Sequence, residues 1–586
     1  MKGPSLPPSR FSTLNEMLVA TTEQPGGLTF LDLQERERFF GWKEILARAQ
    51  GVAGALHDLG VRRGQRVALV LPTCPEFTDA FYGVLLAGAV PVPLYPPLRL
   101  GRLAEFHRAT TRMLCASSAS LVVTNGPIQR LLGQAVAGAR PPLGCTTVEE
   151  LQARQETLPL LPVSPDDLAL IQFSSGSTVD PKPVALTHRQ LLAQCAALHR
   201  LVPPREGALE CAVCWLPLYH DMGLIGLFLN AAYYPGHLVL ISPEDFLARP
   251  ALWLRAMGRH RALASAAPNF AYGLCVKRIS DGELEGVDLS HWRIALCGAE
   301  PVSPVTLRRF AERFGRFGFP GDALMPVYGL SEATLAVTFS PPRALRTVVA
   351  DPERLAQDGV LEVTKRFWGR ELVSVGAPIP GMEIQIRGEA GEDLPEGHQG
   401  RIHVRGPSVM RGYFDAPEAS ARALTDGWLD TGDLGVVREG ELFLTGRTKD
   451  LIIIRGANHA PQEFEDCLYD VGGVRAGCAV ALGYHPPGVE GEALLLLVEH
   501  GRDSRERLAE RVREAVGQRT GIRPHHVEVL PPGTLPRTSS GKLRRQEALR
   551  QYLNGELRPP RDVNAFTLGW EAVRSTLAFA RARRPQ

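Results

Sequence analysis

Phe173-Ser174-Ser175-Gly176-Ser177-Thr178-Val179-Asp180-Pro181-Lys182-Pro183-Val184 is the stretch on which the reading of this chain turns. It follows the apolar run Leu168 to Phe173, which has the composition of a buried strand, and then crowds hydroxyls, a glycine and a lysine into a turn. Backbone N–H groups and Ser/Thr hydroxyls can cradle phosphate oxygens, and a lysine adds a cation. Alone, such a stretch is only a turn. Its neighbours decide what it does.

Around it, apolar strand-like runs alternate with helical patterns: Arg66 to Leu71 before a helix near Phe77 to Gly88, then Leu121 to Thr124, Leu238 to Ile241 and Arg293 to Cys297. This alternation predicts an α/β architecture with mostly parallel sheets. Thr187-His188-Arg189-Gln190 fits a capping box, and Ser303-Pro304 an N-cap with proline in the first turn. From about Ser374 to Thr445, short strands separated by glycine-rich turns predict a β-rich subdomain. Beyond Arg447 a compact α+β unit follows, with a helix over Ser504 to Val516 that places Leu508, Val512 and Val516 on one face. Glu556 to Gln586 reads as a Pro/Arg connection and a solvated terminal helix that aligns Trp570, Val573 and Leu577.

The 586 residues exceed one domain, and a 44% hydrophobic, 22% charged composition is globular rather than disordered. A net charge of +2 gives no global field toward nucleic acid or anionic membrane. No apolar leader opens the sequence. The longest apolar stretch, Gly223 to Tyr234, is interrupted by Asn230 and falls short of the ~20 residues that cross a bilayer. Cys211 and Cys214 form the one C-x-x-C, within an apolar strand-like run, and read as buried thiols rather than a redox or metal pair. A reduced, cytoplasmic protein is the expectation. Only seven of the 65 basic residues are lysine, so the position of each lysine carries weight.

Four further stretches bear chemistry. Tyr328-Gly329-Leu330-Ser331-Glu332-Ala333-Thr334 offers an aromatic plate with a carboxylate beside it. Trp428-Leu429-Asp430-Thr431-Gly432-Asp433-Leu434 sets two acids around a glycine. Gly446-Arg447-Thr448-Lys449-Asp450 comes next, and then Leu535-Pro536-Arg537-Thr538-Ser539-Ser540-Gly541-Lys542-Leu543. Each could be a surface turn; five in this order are hard to reach by chance.

In these motifs and their order the chain resembles the adenylate-forming superfamily of acyl-CoA synthetases, luciferases and non-ribosomal adenylation domains, over roughly Thr29 to Leu553. Within it the chain looks most like the fatty acyl-AMP ligases, on Gly88 to Pro97, Trp215 to Gly226, Ala267 to Tyr272 and Arg455 to Gln462. Extra sequence at about 341–372 matches the insertion of that subfamily, thought to disfavour CoA chemistry. The resemblance implies a large N-terminal α/β domain (1–448) of two sheet-and-helix lobes, with its β-rich subdomain at about 374–446. A small mobile α+β domain (449–555) and an extension (556–586) follow. It implies ATP and Mg²⁺ as cofactors, a fatty acid as substrate and an acyl carrier protein as acceptor.

The same resemblance implies the roles of the site residues. Ser174, Ser175, Gly176, Ser177, Thr178 and Lys182 line the β,γ-phosphate loop. Tyr328, with Gly329 and Ser331 in its motif, stacks on adenine above the turn Gly298-Ala299-Glu300. Glu332 helps to hold Mg²⁺, Asp433 receives the ribose hydroxyls and Arg447 reaches the nucleotide. Lys449 is the hinge, and His220 stands beside the acyl carboxylate. Lys542 is the catalytic cation between carboxylate and α-phosphate, where a compact charge offsets repulsion between two anions. The chain departs from the family pattern at Val179 and Pro183, where glycine is usual. Two readings follow: a stiffer loop that still works, or weakened turnover in an acyl- or nucleotide-binding protein. A long-chain acyl-CoA ligase is the third alternative.

Overall fold

The computed structural model describes all residues except 98–99, 155–160, 175–180, 204–208, 235, 367–368, 455, 470, 487, 489–490, 502–506, 539–540, 561–564 and 583–586. Two sheets organise the N-terminal part. The first has four parallel strands in the order Val90–Leu94, Arg66–Val70, Ala119–Thr124, Cys145–Thr147. The Val/Leu/Ala-rich sequences of the two central strands, Arg66–Val70 and Ala119–Thr124, suit strands buried on both faces. The second has nine strands among the described residues. Its centre is parallel: Ala264–Ala267, Ile294–Cys297 and Leu324–Gly329 run side by side and deliver their carboxyl ends to one cleft. The two-lobed α/β expectation is met.

The opening motif is built differently from its surroundings. Leu168–Phe173 pairs antiparallel with Pro183–Thr187, so the phosphate-type loop connects two strands of a hairpin rather than leading from a strand into a helix. The helix follows the second strand: Thr187 caps His188–Leu201 with the full capping box that its sequence predicts. Ser303 likewise caps Pro304–Gly315 by accepting from the Thr306 amide.

The β-rich subdomain forms around the long strands Trp428–Arg438 and Glu441–Arg447, joined to Gly400–Arg405 and Glu383–Arg387. The insertion makes a two-stranded hairpin, Thr347–Ala350 with Arg370–Val373, and the helix Pro352–Asp358. Its own apolar residues Ala350, Leu355, Leu361 and Leu372 pack on Val436 and Phe443, which fixes it to the subdomain.

A three-stranded sheet, Val474–Tyr484, Ala493–His500 and His526–Leu530, carries the C-terminal unit. The helix expected at Ser504 to Val516 is placed at Leu508–Thr520, and Leu508, Val512 and Val516 are fully buried. The tail corrects an expectation. Its helix, Ala565–Ala582, packs against Gly126–Ala139 of the N-terminal lobe. Ser575 is buried there and its Oγ accepts from the Gly133 amide at 2.7 Å. The aligned Trp570, Val573 and Leu577 are the exposed face. The docking face instead sets Ser575 against Gly133 and Phe579 against the core of that lobe. No described helix is long and apolar enough to cross a membrane.

Candidate active site

Strand ends build the cleft, a cavity of about 1700 Å³ between the N-terminal lobes and the C-terminal unit. Tyr328 stands near the end of its strand, buried, and its hydroxyl donates to Asp433 Oδ2 at 2.8 Å. Burial first, and then the Asp433 charge, push this phenol well above its ordinary range, so it stays a donor. Asp433 also accepts from Arg447 Nε, directly across the antiparallel pair Asp433↔Arg447. Burial alone would favour neutral arginine, yet the carboxylate raises the Arg447 pKa. Gly329 sits where a Cβ would lie 1.8 Å from the Leu335 carbonyl oxygen, so only glycine allows the chain to turn here.

Gly298-Ala299-Glu300 follows the strand Ile294–Cys297, and Ala299 takes a left-handed φ of 66°. A Cβ on Gly298 would lie 2.8 Å from Val327 Cγ2. Glu300 accepts from the Phe270 amide at 2.6 Å; burial raises its pKa against that bond and the Lys542 charge. Glu332 is raised by burial too, although its own backbone amide, the Tyr413 hydroxyl and Arg447 oppose this. Tyr413 donates to Glu332 Oε1 at 3.0 Å, and Lys182 Nζ lies 4.7 Å from the centroid of the same ring. Tyr413 thus joins the expected metal-side acid to the phosphate-loop lysine. It belongs to none of the five motifs.

Ser174 and Lys182 close the hairpin, the Ser174 amide donating to the Lys182 carbonyl at 3.0 Å. Ser175, Gly176, Ser177, Thr178 and Val179 lie outside the described residues. Pro183 begins the second strand opposite Phe173, where its carbonyl accepts from the Phe414 amide at 2.8 Å. A first strand position tolerates proline.

His220 caps a short helical turn, with Nδ1 2.7 Å from Asp221 Oδ1. Its Nε2 is buried and has no hydrogen-bond partner among the described residues, and the side chain lines the cleft. Asp221, which sequence reasoning passed over, also accepts from Ser331 Oγ. Burial opposes its ionisation, but His220, Lys542 and Ser331 together hold its carboxyl well below the usual carboxylate range.

Lys542 enters from the C-terminal unit. The Thr538 amide donates to the Lys542 carbonyl at 2.8 Å, and the Lys542 amide to Thr538 Oγ1 at 3.1 Å, so the loop closes on itself and directs the lysine. Arg537 ties the loop down through the Gly541 and Gly477 carbonyls at 2.7 and 2.6 Å. Burial lowers the Lys542 pKa and Arg447 adds repulsion, while Asp221, Glu300 and Asp433 attract the charge. The unit is seated on the cleft by Tyr469, whose ring has Lys277 Nζ at 4.9 Å and the Arg309 guanidinium at 4.7 Å. Lys449 lies in a single turn, Thr448–Asp450, and its carbonyl accepts from Gln546 Nε2 at 3.1 Å. Trp215, Met222, Leu274, Leu296 and Leu335 supply apolar lining.

The cleft therefore combines an aromatic plate, an acid–arginine pair, an anion-side lysine and a second lysine delivered by another unit. Known proteins are similar to this chain over most of its length. The family model for AMP-binding enzymes matches residues 19–414. A putative acyl-CoA synthetase of Caulobacter vibrioides is 35% identical over 93% of this chain and 96% of its own. The medium-chain-fatty-acid–[acyl-carrier-protein] ligase JamA of Moorena producens is 31% identical over 93% of this chain and 96% of its own. Among solved structures, one of the fatty acyl-adenylate ligases from E. coli and L. pneumophila superposes with a TM-score of 0.87 at 33% identity, over 94% of this chain and 99% of that one. The chain belongs to the AMP-binding enzyme family, as an adenylate-forming ligase of the fatty acyl-AMP ligase type.

Proposed function

We propose that the chain joins a fatty acid to ATP, giving fatty acyl-AMP and pyrophosphate, and then passes the acyl group to the phosphopantetheine thiol of an acyl carrier protein. The observation that carries this reading is Lys542, held in the cleft within the charge field of Asp221, Glu300 and Asp433. A bound carboxylate and an α-phosphate would take over from those acids as its counter-charges, and the ammonium would offset their repulsion as the new bond forms.

In this reading Tyr328 stacks on adenine, Asp433 and Arg447 fix the ribose, and Lys182 meets the β,γ-phosphates. The free Nε2 of His220 faces the acyl carboxylate. Glu332 fits Mg²⁺: it is a carboxylate lining the cleft, oriented by Tyr413, with its ionised form disfavoured until a cation arrives. The metal would supply charge neutralisation on the phosphates. The chain would divide at the hinge Lys449, into 1–448, 449–555 and an extension 556–586. Acyl transfer to a carrier protein is supported by the name of the Moorena relative and by the insertion near 341–372. Pro183 sits at a strand start, which tolerates proline, and this supports the working-enzyme reading over the binding-protein one that Val179 and Pro183 raise.

Fatty-acid-dependent pyrophosphate release, measured against Lys542→Ala as the blank, tests the first step. Release no greater than that blank would overturn it. Running the same incubation with radiolabelled fatty acid, with and without CoA and with a pantetheinylated carrier protein, separates the acceptors. Acyl-CoA as the main product would replace the carrier-protein reading by a CoA-ligase one.

A further inference from the structure

Outside the cleft, the nine-stranded sheet gathers a second set of reactive side chains. Cys211 lies in the strand Glu210–Cys214, directly across the parallel pair from His237 in Gly236–Ile241. His260 caps the carboxyl end of the helix Ala251–Arg259. One ligand atom from each of the three residues lies within 4.8 Å of the others. The two imidazoles are near-parallel, 6.0 Å apart at 30°. None of the three lines the catalytic cleft.

An oxygen stands beside each imidazole. His237 Nε2 lies 3.2 Å from Thr29 Oγ1, and His260 Nε2 lies 3.1 Å from Glu37 Oε1. Metal-bound histidines ordinarily have one ring nitrogen held by such an oxygen, which fixes ring and tautomer. Glu37 is an oxygen donor at the start of the edge strand Glu37–Gly41, where Arg259 also approaches it at 3.2 Å. Phe39, two residues on, stacks over His237 at 5.6 Å and 30°, and covers the cluster with an otherwise exposed aromatic ring. A purely structural thiol and two imidazoles would need no such convergence of two neighbouring strands, an edge strand and a helix end.

We propose that Cys211, His237 and His260 form a zinc site, with Glu37 completing the shell or orienting His260. One thiolate and two imidazoles make a soft-to-borderline donor set that suits Zn²⁺ and disfavours Mg²⁺ and Ca²⁺, which prefer all-oxygen shells. Tetrahedral zinc needs donor atoms roughly 3.4–3.6 Å apart. The present spacing, within 4.8 Å, exceeds this by up to about 1.4 Å, so metal binding would draw the three side chains together. The ion would pin the edge strand and the helix end to the strand whose continuation, Trp215 to Asp221, carries His220 into the cleft. Its role is structural and independent of the adenylation chemistry.

The test uses the full chain, purified without chelator, and its metal content by plasma mass spectrometry. The chelator-stripped protein is then titrated with Co²⁺, whose thiolate charge-transfer band reports a Cys ligand, and the band is displaced with Zn²⁺. The expected result is stoichiometric zinc, a cobalt band that Zn²⁺ abolishes, and a rise in Tm of roughly 5 °C on adding zinc to the stripped protein. Cys211→Ser and His260→Gln lose the band and the Tm rise, and Cys115→Ser, at an exposed cysteine, keeps both. No band in the stripped wild type, or a band that survives Cys211→Ser, overturns the site. Metal that leaves on gel filtration and shifts no Tm is an adventitious ion only, and overturns it equally. The wild-type titration needs no variant to fold.

Discussion

Five ionisable side chains, Asp221, Glu300, Asp433, Arg447 and Lys542, face one another in the cleft. The tail helix Ala565–Ala582, by contrast, is held to Gly126–Ala139 by close backbone approach at Gly133, by the Ser575 hydroxyl bonded to Gly133 and Gln129, by Phe579 on the lobe's core and by the Gln134–Glu571 bond. In the first region burial works against almost every group, raising Glu300 and Glu332 and lowering Lys542. In the second, close packing and a few hydrogen bonds decide, with one charged partner, Glu571, at the exposed rim. Buried charge that costs stability is kept where it lines a cleft, as at a functional site, whereas close packing serves attachment.

Lys542→Ala is the strongest way to break that contrast. Removing a preorganised donor of this kind costs ~10²–10³ in rate. Adenylation should fall by that factor in a variant that still folds, with some stability lost because Asp221 and Glu300 give up a counter-charge. A large loss of Tm would mean that Lys542 is structural. Lys542→Arg should also lose most of the rate, since a planar guanidinium cannot occupy the place of a compact ammonium. Near-wild-type turnover in that variant would refute the requirement. The lowered Lys542 pKa adds a pH test. Its cation is lost at lower pH than an ordinary lysine's in the free protein, so kcat/KM should decline on an alkaline limb that Lys542→Ala lacks.

His188 sharpens the same contrast from the core. Its Nδ1 accepts from the Leu14 amide at 3.1 Å, and burial lowers its pKa to about 4, with Asp167 opposing only weakly. Unfolded, the ring titrates near 6.5. Between these values the unfolded chain binds a proton that the folded chain refuses, so stability falls as pH drops from about 6.5 to about 4. Denaturation at pH 7 and pH 4.5 should show the wild type losing about 2–3 kcal/mol more than His188→Gln, which cannot titrate. Equal losses in the two proteins would show that His188 is protonated when folded.

The cleft was largely legible because its chemistry is written as contiguous motifs. Tyr328, Asp433, Arg447 and Lys542 each sit in a turn whose composition demands explanation, and the α/β alternation around them is plain. Asp221 and Tyr413 were not legible. Their roles arise only when Ser331 and Glu332 fold back onto them. Cys211 reads beside Cys214 as one more buried thiol, and nothing in sequence joins it to His237 or His260. The register of two strands and the end of a helix do that. The antiparallel hairpin at Leu168–Thr187 was hidden for a related reason, since an apolar run announces a strand but not the direction of its partner.

The tail was misjudged because apolar periodicity points to its exposed face, and the smallest expected effect tests why. A Cβ at Gly133 would lie 2.1 Å from the Ser575 carbonyl oxygen and 2.7 Å from its carbonyl carbon. Backbone atoms cannot swing aside, so Gly133→Ala must push the tail helix away. The same change improves the helix Gly126–Ala139 by about 1 kcal/mol of intrinsic propensity, so that helix survives. Hydrogen exchange should therefore show residues 565–582 losing protection while Gly126–Ala139 keeps its own, with Tm and adenylation almost unchanged. If the tail stays protected, its attachment does not depend on the glycine–serine contact, and the close-packed docking set against the cleft fails. If adenylation falls in step with the lost protection, the tail is coupled to the lysine loop. Arg102 offers such a link, its Nη2 lying 3.1 Å from the Thr534 carbonyl oxygen and 3.4 Å from that of Arg558.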